Sequence, residues 1–192
     1  IDRVSELPKI TIITPSFNQA HFLEQTILSV LDQDYPNLEY MIVDGGSTDG
    51  SKEIIEKYAD RLHWWCSKQD NGQSHALNKG LDKATGDVIA YINSDDWYEP
   101  GVLHKVGEFF RDRPQTDFLY GSCRMVDEQG ELLRVHRGNI FKLEELLDLW
   151  NVWWKDRQFV QPECFWSRRV FLKVRSFRQD IVNAFDYEYW TR

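Results

Sequence analysis

Lys9-Ile10-Thr11-Ile12-Ile13-Thr14-Pro15-Ser16 is a β-branched run stopped by proline, the pattern of a strand buried on both faces. Outward from it the period changes. Phe22, Leu23, Ile27, Val30 and Leu31 recur at helical spacing, and Tyr35-Pro36-Asn37 ends that helix. Residues 38–43 predict a second strand, broken by Asp44-Gly45-Gly46. Ser47 or Thr48 is placed to cap a second helix carrying Ile54, Ile55 and Tyr58. An aromatic strand over 62–66, a helix over 74–84 and a strand over 87–92 continue the series. In that third helix Ala76, Leu77, Gly80, Leu81 and Ala84 share the inward face. Such alternation predicts an α/β fold with a mostly parallel central sheet and helices on both faces.

Ligands on such sheets sit beyond the carboxyl ends of the strands. Thr14-Pro15-Ser16, Asp44-Gly45-Gly46, Lys68-Gln69-Asp70 and Asn93-Ser94-Asp95-Asp96 all fall there and should converge on one rim. After about residue 100 the texture differs. Residues 100–113 read as a helix, and 118–126 with 132–136 as a hairpin around Asp127-Glu128-Gln129-Gly130. The remainder is rich in tryptophan, and Trp153-Trp154 read as core. No repeat or low-complexity linker divides the chain. Residues 1–192 therefore read as one domain with two halves, 9–99 and 100–192, and a small antiparallel C-terminal portion.

Composition narrows the class. The chain has 192 residues, 23 Lys and Arg against 31 Asp and Glu, a net charge of −8 and 42% hydrophobic residues. That suits one buried core. No apolar run is long enough to cross a bilayer as a helix. An acidic chain without a basic cluster is a poor nucleic-acid partner, because phosphate contacts need Lys and Arg. Cys66, Cys123 and Cys164 are far apart, show no metal-type spacing and point to a reducing compartment. The expected location is cytoplasmic, with peripheral association at the inner face of the cytoplasmic membrane left open, as is the oligomeric state. The chain starts at Ile1 without a signal peptide and stops at Arg192 in a helix-like stretch, so it reads as a domain truncated at its C-terminus.

Each polar loop has a bland and a chemical explanation. Asp95 and Asp96 end a buried strand, where adjacent carboxylates repel and are costly to desolvate unless a cation or donors compensate. One could accept from ribose hydroxyls while the other ligates a hard divalent ion; the bland alternative is a solvated turn. Asp44 with Gly45 and Gly46 suits close ligand approach and the ring N–H of a uracil or thymine, or else is a strand-to-helix turn. Asp49 suits the first turn of the following helix. Asp70 is a base contact or a turn residue. His75 and Asn78 lie one turn apart and could both face the rim, whereas Lys79 reads as solvated. Asp186, among Phe185, Tyr187, Tyr189 and Trp190, is a candidate base with a raised pKa, an N-cap, or both. His21, His63, His104 and His136 are scattered and suggest no metal cluster.

Taken together, Thr14-Pro15-Ser16-Phe17-Asn18, Val43-Asp44-Gly45-Gly46-Ser47-Thr48-Asp49-Gly50, Asp70-Asn71-Gly72, Ala76-Leu77-Asn78-Lys79-Gly80, Gly86-Asp87 and Asn93-Ser94-Asp95-Asp96 resemble family 2 glycosyltransferases. Their fold is the Rossmann-like nucleotide-diphospho-sugar transferase type called GT-A. Gln161-Pro162-Glu163, Phe165-Trp166 and Phe185-Asp186-Tyr187 resemble the second half of a bacterial branch that serves cell-envelope polysaccharide synthesis. One departure stands out: Val174-Arg175-Ser176-Phe177 occupies the place of that branch's Gly-Gly turn before Phe.

The resemblance implies a nucleotide-sugar donor, UDP- or dTDP-linked, held by Thr14, Pro15, Ser16, Asn18, Asp44, Gly45, Gly46, Asp70, Asn78 and Asp95, with Asp44 accepting from the base. Trp97 is the best candidate for a ring lining the site. Asp96, shared with Asp95, implies the ligand to Mn²⁺ or Mg²⁺, and Asp186 the catalytic base. The acceptor would be a glycan, a lipid-linked sugar or another hydroxyl, and a single displacement would invert the anomeric centre. Rival readings are a non-catalytic nucleotide-sugar-binding module of the same fold and a metal-dependent nucleotidyltransferase, which would want a basic phosphate loop. A glycoside hydrolase would need neither nucleotide pocket nor metal. A Rossmann dehydrogenase would need Gly-x-Gly-x-x-Gly after the first strand.

Overall fold

The computed structural model describes residues 6–140, 142–148 and 150–192, and Ile1 lies outside them. The first half runs β1 (Ile10–Ser16), α1 (Ala20–Leu31), β2 (Leu38–Asp44), α2 (Ser51–Lys57), β3 (Trp64–Ser67), α3 (Gln73–Leu81) and β4 (Val88–Tyr91). The second half runs α4 (Val102–Asp112), β5 (Phe118–Tyr120), β6 (Ser122–Val126), β7 (Leu132–Arg137), α5 (Leu143–Leu146), β8 (Cys164–Ser167), α6 (Arg168–Val174) and α7 (Phe185–Thr191). Six strands form one sheet in the order β3-β2-β1-β4-β8-β5. Its first four are mutually parallel, and β8 runs antiparallel to both β4 and β5.

β1 is central, and from Ile10 to Thr14 its side chains are apolar or hydrogen-bonded. Ile10, Ile12 and Ile13 are buried, and the intervening Thr11 and Thr14 hydroxyls bond to Glu39 and Tyr40. The chain runs outward from β1 through β2 to β3, then returns to the other side of β1 as β4, so strand order reverses there. Right-handed crossovers then set α3 on the face opposite α1 and α2. α3 sits very close to the sheet: a Cβ on Gly80 would fall 2.7 Å from Ile13 Cγ2. α1 does a different job. Its polar side chains Thr26, Ser29 and Gln33 bond the backbone of Asp96, Tyr98 and Glu99, holding the segment after β4.

Four expectations change. Ser47 and Thr48 do not cap α2; its N-cap is Gly50 at φ 101°, and Asp49 ties the two helix starts by accepting from Ala20 N and Ser51 N. Residues 118–126 are not one hairpin arm. β5 pairs with β8 in the main sheet, and only β6 pairs with β7, because β8 arrives from far along the chain to claim that edge. Trp154 is 79% exposed and so is not core, whereas Trp153 is half-buried against the small cluster of Ile140, Leu146 and Val152. Asp186 is not an N-cap: it lies in the first turn of α7, after Ala184 at φ 58°. Where the Gly-Gly turn is replaced, Arg175 takes φ 68°, ψ −100°, a region that glycine tolerates far better.

Glu39 pins the amino ends of the strands. It is 2% exposed and accepts from Thr11 Oγ1 at 2.9 Å, Thr85 N at 2.8 Å and the Thr85 hydroxyl, with His63 and Lys9 nearby. Burial pushes its carboxyl up, but the bonds from Thr85 and Thr11 and the His63 charge outweigh it and hold it below the ordinary range. A depressed pKa gives stability that is present above the unfolded value and lost as pH falls through the folded one. Glu39→Gln should therefore lower unfolding free energy by about 2 kcal/mol at pH 7, and by less as pH drops below about 4. Urea titrations across pH check both. Arg175→Gly should act the other way and stabilise by about 1 kcal/mol, because the exposed side chain leaves an unfavourable φ behind.

Candidate active site

The four loops meet at the carboxyl ends of β1 to β4 in a cleft of about 640 Å³, within the usual size range for small-molecule sites. β1 contributes Pro15 and Ser16, the loop after β2 Gly45 and Gly46, and the loop after β3 Gln69 and Asp70. Gly72 and Gln73 enter from the start of α3, and Asn93, Ser94 and Asp95 from the end of β4. Side chains at the two glycines would crowd the cleft. A Cβ on Gly45 would stand 3.2 Å from the Phe17 ring and 3.3 Å from both Asp70 carboxylate oxygens. Gly46 adopts φ +85°, with Gln69 N only 3.0 Å from where its Cβ would be.

Asp44 is not in the cleft. It is fully buried, and its oxygens accept from Gly46 N at 3.1 Å, Ser47 N at 3.0 Å, Ser67 Oγ at 2.6 Å and the Ser47 hydroxyl. Its work is to fold the glycine loop and tie β2 to β3, which leaves a base no route to it. Asn18 and Thr14 are likewise structural. Asn18 exchanges bonds with Ser47 and Thr48, and the Thr14 hydroxyl is paired with Tyr40 inside the core. Trp97 is half-buried and does not line the cleft. Phe17 was missed as a lining residue. It is 61% exposed directly after a buried strand, and that contrast is the signal that could have found it.

Asp95 and Asp96 differ sharply. Asp95 is exposed on the cleft wall, whereas Asp96 is half-buried beneath it. Burial, with the Asp95 charge added, pushes the Asp96 carboxyl up to about 6, only partly relieved by a 3.3 Å bond from Asn93 Nδ2. No basic side chain contributes to that balance. Among the described residues no three His, Cys, Asp or Glu side chains cluster as a self-sufficient metal site. A Mg²⁺- or Mn²⁺-type ion fits here nevertheless, since such ions are commonly held by one or two carboxylates plus substrate phosphates. An uncompensated carboxylate beside an exposed one is the donor set this requires.

Asp186 reaches the same place from the far end of the chain. Its Oδ1 accepts from Tyr187 N at 2.8 Å. Its charge and that of Asp96 both bear on Tyr91, the last residue of β4, whose phenol lies well above its usual range chiefly through burial. The Phe177 ring touches both Tyr91 and Phe185, so the first turn of α7, which carries Asp186, packs near the strand end that the tandem aspartates follow. His75 and Asn78 do not share the rim. His75 Nδ1 accepts from Asn71 N, and the buried Asn78 turns to the backbone of Phe177.

Comparison with known proteins agrees with this geometry. The chain is 35% identical to an uncharacterized glycosyltransferase of Haemophilus influenzae over 155 residues, covering 73% of this chain and 62% of that protein. It is 38% identical to TuaG of Bacillus subtilis, a glycosyltransferase named for teichuronic acid biosynthesis, over 124 residues, 63% of this chain and 49% of that one. The chain thus spans less than two thirds of the length of these relatives. In structure it resembles residues 1–349 of Staphylococcus aureus TarS in complex with UDP, at a TM-score of 0.72 and 20% identity, over 94% of this chain and 53% of that one. It also resembles the mannosyltransferase PcManGT of Pyrobaculum calidifontis in complex with GDP-Man and Mn²⁺, at a TM-score of 0.67 and 21% identity, over 96% and 51%. At those identities the likeness is one of fold. The sequence model of glycosyl transferase family 2 matches residues 11–175, from the first strand through the sheet and its cleft, and the chain belongs to that family.

Proposed function

We propose that the cleft binds a nucleoside diphosphate sugar, UDP- or dTDP-linked, and that the chain transfers the sugar to an acceptor hydroxyl with inversion. The observation that carries this is a cleft of nucleotide size lined by Asp70 and Asp95, with Asp96 next in sequence and the first turn of α7, which carries Asp186, packed through Phe177 onto Tyr91 at the end of β4. Fold relatives described with UDP, UDP-GlcNAc and GDP-Man support it. Residues 9–99 hold the donor and 100–192 face the acceptor. A glycan or lipid-linked acceptor suits TuaG's link to a cell-envelope polymer. Among the described residues no helix is long and apolar enough to cross a membrane.

The base lies against the exposed Phe17 ring, with the Asp70 carboxylate beside Gly45 accepting its N–H, in place of the enclosed Asp44. Asp95, on the cleft wall, accepts from the ribose and shares the ion. Asp96 is its main protein ligand. A divalent ion there supplies the positive charge that reconciles a diphosphate with a chain of net charge −8 and offsets negative charge on the leaving diphosphate. Asp186 takes the proton of the acceptor hydroxyl while its oxygen bonds to the anomeric carbon and the sugar–diphosphate bond breaks. General-base help of this type contributes about 10²–10⁴-fold.

Two substitutions test the two acidic groups separately. The fold raises the Asp96 pKa from 3.8 to about 6, so its contribution to stability is most favourable below pH about 4 and is lost as pH rises through about 6. Asp96→Asn should therefore stabilise the metal-free chain at pH 7 by roughly 2–3 kcal/mol while removing the gain in UDP affinity that Mn²⁺ confers. Urea unfolding and calorimetric titration read the two effects, and an unchanged Mn²⁺ dependence would place the ion elsewhere. Asp186→Asn should lower kcat by about 10²-fold or more with UDP affinity held within about twofold. In the wild-type reaction, NMR should show the product anomer inverted. Retention would sink the single displacement.

A further inference from the structure

Helix α3 enters the donor cleft with Gly72 and Gln73 and carries Asn78 farther along its length, on the side away from the cleft. There the Asn78 Nδ2 donates to Phe177 O at 2.8 Å, and its Oδ1 accepts from Phe177 N at 2.8 Å. Both bonds are buried and join residues 99 apart in sequence. They complete the donor and acceptor of one peptide segment, as a neighbouring β-strand would, although Phe177 lies in no strand.

What Phe177 does with that anchorage is to build the seat of α7. Its ring stands edge-on to Tyr91 at 5.7 Å and to Phe185 at 5.5 Å, and stacks on Tyr189 at 4.2 Å. Tyr91 ends β4, Phe185 immediately precedes Asp186, and Tyr189 is the next turn of the same helix. Local preference does not hold this segment. Arg175 before Phe177 and Ala184 before Phe185 both take positive φ, at 68° and 58°, conformations that L-residues keep only when their surroundings impose them. α7 is seven residues long, too short to be stable unaided. Support must come from outside: Trp166 packs on Tyr189 and Trp190, the Tyr187 hydroxyl donates to Leu146 O, and the paired Asn78 bonds are the buried polar contact to the Phe177 backbone itself.

We infer that Asn78 is a positioning residue for Asp186: through Phe177 it fixes the first turn of α7 against β4, so one helix, α3, sets both the donor cleft and the proton acceptor. This rests on Asp186 being the base. A misplacement of about 1 Å in a reacting group can cost on the order of 10²-fold in rate, which makes the effect large enough to read.

The test compares full-length Asn78→Ala with Ile55→Ala, a fully buried core truncation in α2 that serves as the control for lost stability. Amide hydrogen exchange in Asn78→Ala should rise selectively in residues 184–190, by about tenfold or more, with the β1 and β2 amides unchanged. kcat for UDP release from the UDP-sugar that the wild type turns over fastest should fall about 10- to 100-fold, while donor KM and affinity for UDP alone stay within about twofold. Ile55→Ala should keep its kcat. Should Asn78→Ala not fold, Phe177→Leu keeps both backbone bonds but removes the ring, and should give the same split. Exchange that rises evenly over the sheet, or an equal kcat loss in Ile55→Ala, overturns the positioning role. Asp186→Asn separates the two levels. Full turnover there overturns the base itself, whereas loss there with full turnover in Asn78→Ala overturns only the link through Phe177.

Discussion

Acidic side chains gathered at the carboxyl ends of parallel strands repel one another, and Asp96 bears most of that strain. It is the buried member of the pair, its neighbour Asp95 is charged, and no basic side chain contributes to its balance. A protein selected for stability alone would have an amide or an apolar residue there. Retaining the carboxylate against burial is the expected signature of a group whose partner arrives with the substrate. Much of the first half then follows as scaffolding for that one position. Thr26, Ser29 and Gln33 of α1 hold the chain from Asp96 to Glu99 by its backbone, and Gln73 holds Asn93 by its side chain. The loop is rigid on the protein side and incomplete on the ligand side.

The same logic separates the aspartates that act from those that build. Asp44 and Asp49 sit in one glycine loop; the exposed Asp49 accepts from Ala20 N, Ser51 N and the Ser51 hydroxyl, and the buried Asp44 is saturated by backbone N–H groups and serine hydroxyls. A carboxylate filled in this way has no capacity left for a ligand. Asp70 gives one oxygen to Gly72 N and flanks Gly45 beside an exposed aromatic ring, so it keeps a free edge toward the cleft. Residue type and loop position are alike in all three. Only the direction of the side chain distinguishes them.

That explains how far the chain could be read before folding. The alternation of β-branched runs with helical spacing is a local signal, and it located β1 through β4 and the rim where their loops meet. The order of strands beyond β4 is not local. β8 inserts between β4 and β5 after a long excursion, so β5 read alone looked like the start of the β6–β7 hairpin. Resemblance ties Asp44, Thr14 and Asn18 to the donor by their motifs, but a motif does not say where a side chain turns: a strand points alternate residues to opposite faces, and a glycine turn scrambles that alternation. Asn78 was misjudged for a related reason. On a helix packed against a sheet, being one turn from His75 says nothing of what waits on that side, and its partner was 99 residues away.

Asp186 lies beyond residue 175, where the family match ends, in a helix too short to persist alone and entered through a residue with positive φ. Its position is therefore a product of tertiary packing and not of its own segment. The contacts that create it run through Phe177 to Tyr91 and Asn78, residues of the first half. The first half thus seats the residue proposed as the base. Separating residues 9–99 from 100–192 would leave the Asn78 amide on one piece and the Phe177 backbone on the other without partners, a penalty for unpaired buried polar groups that falls on both at once. Division of labour between the halves is chemical, and their folding is shared.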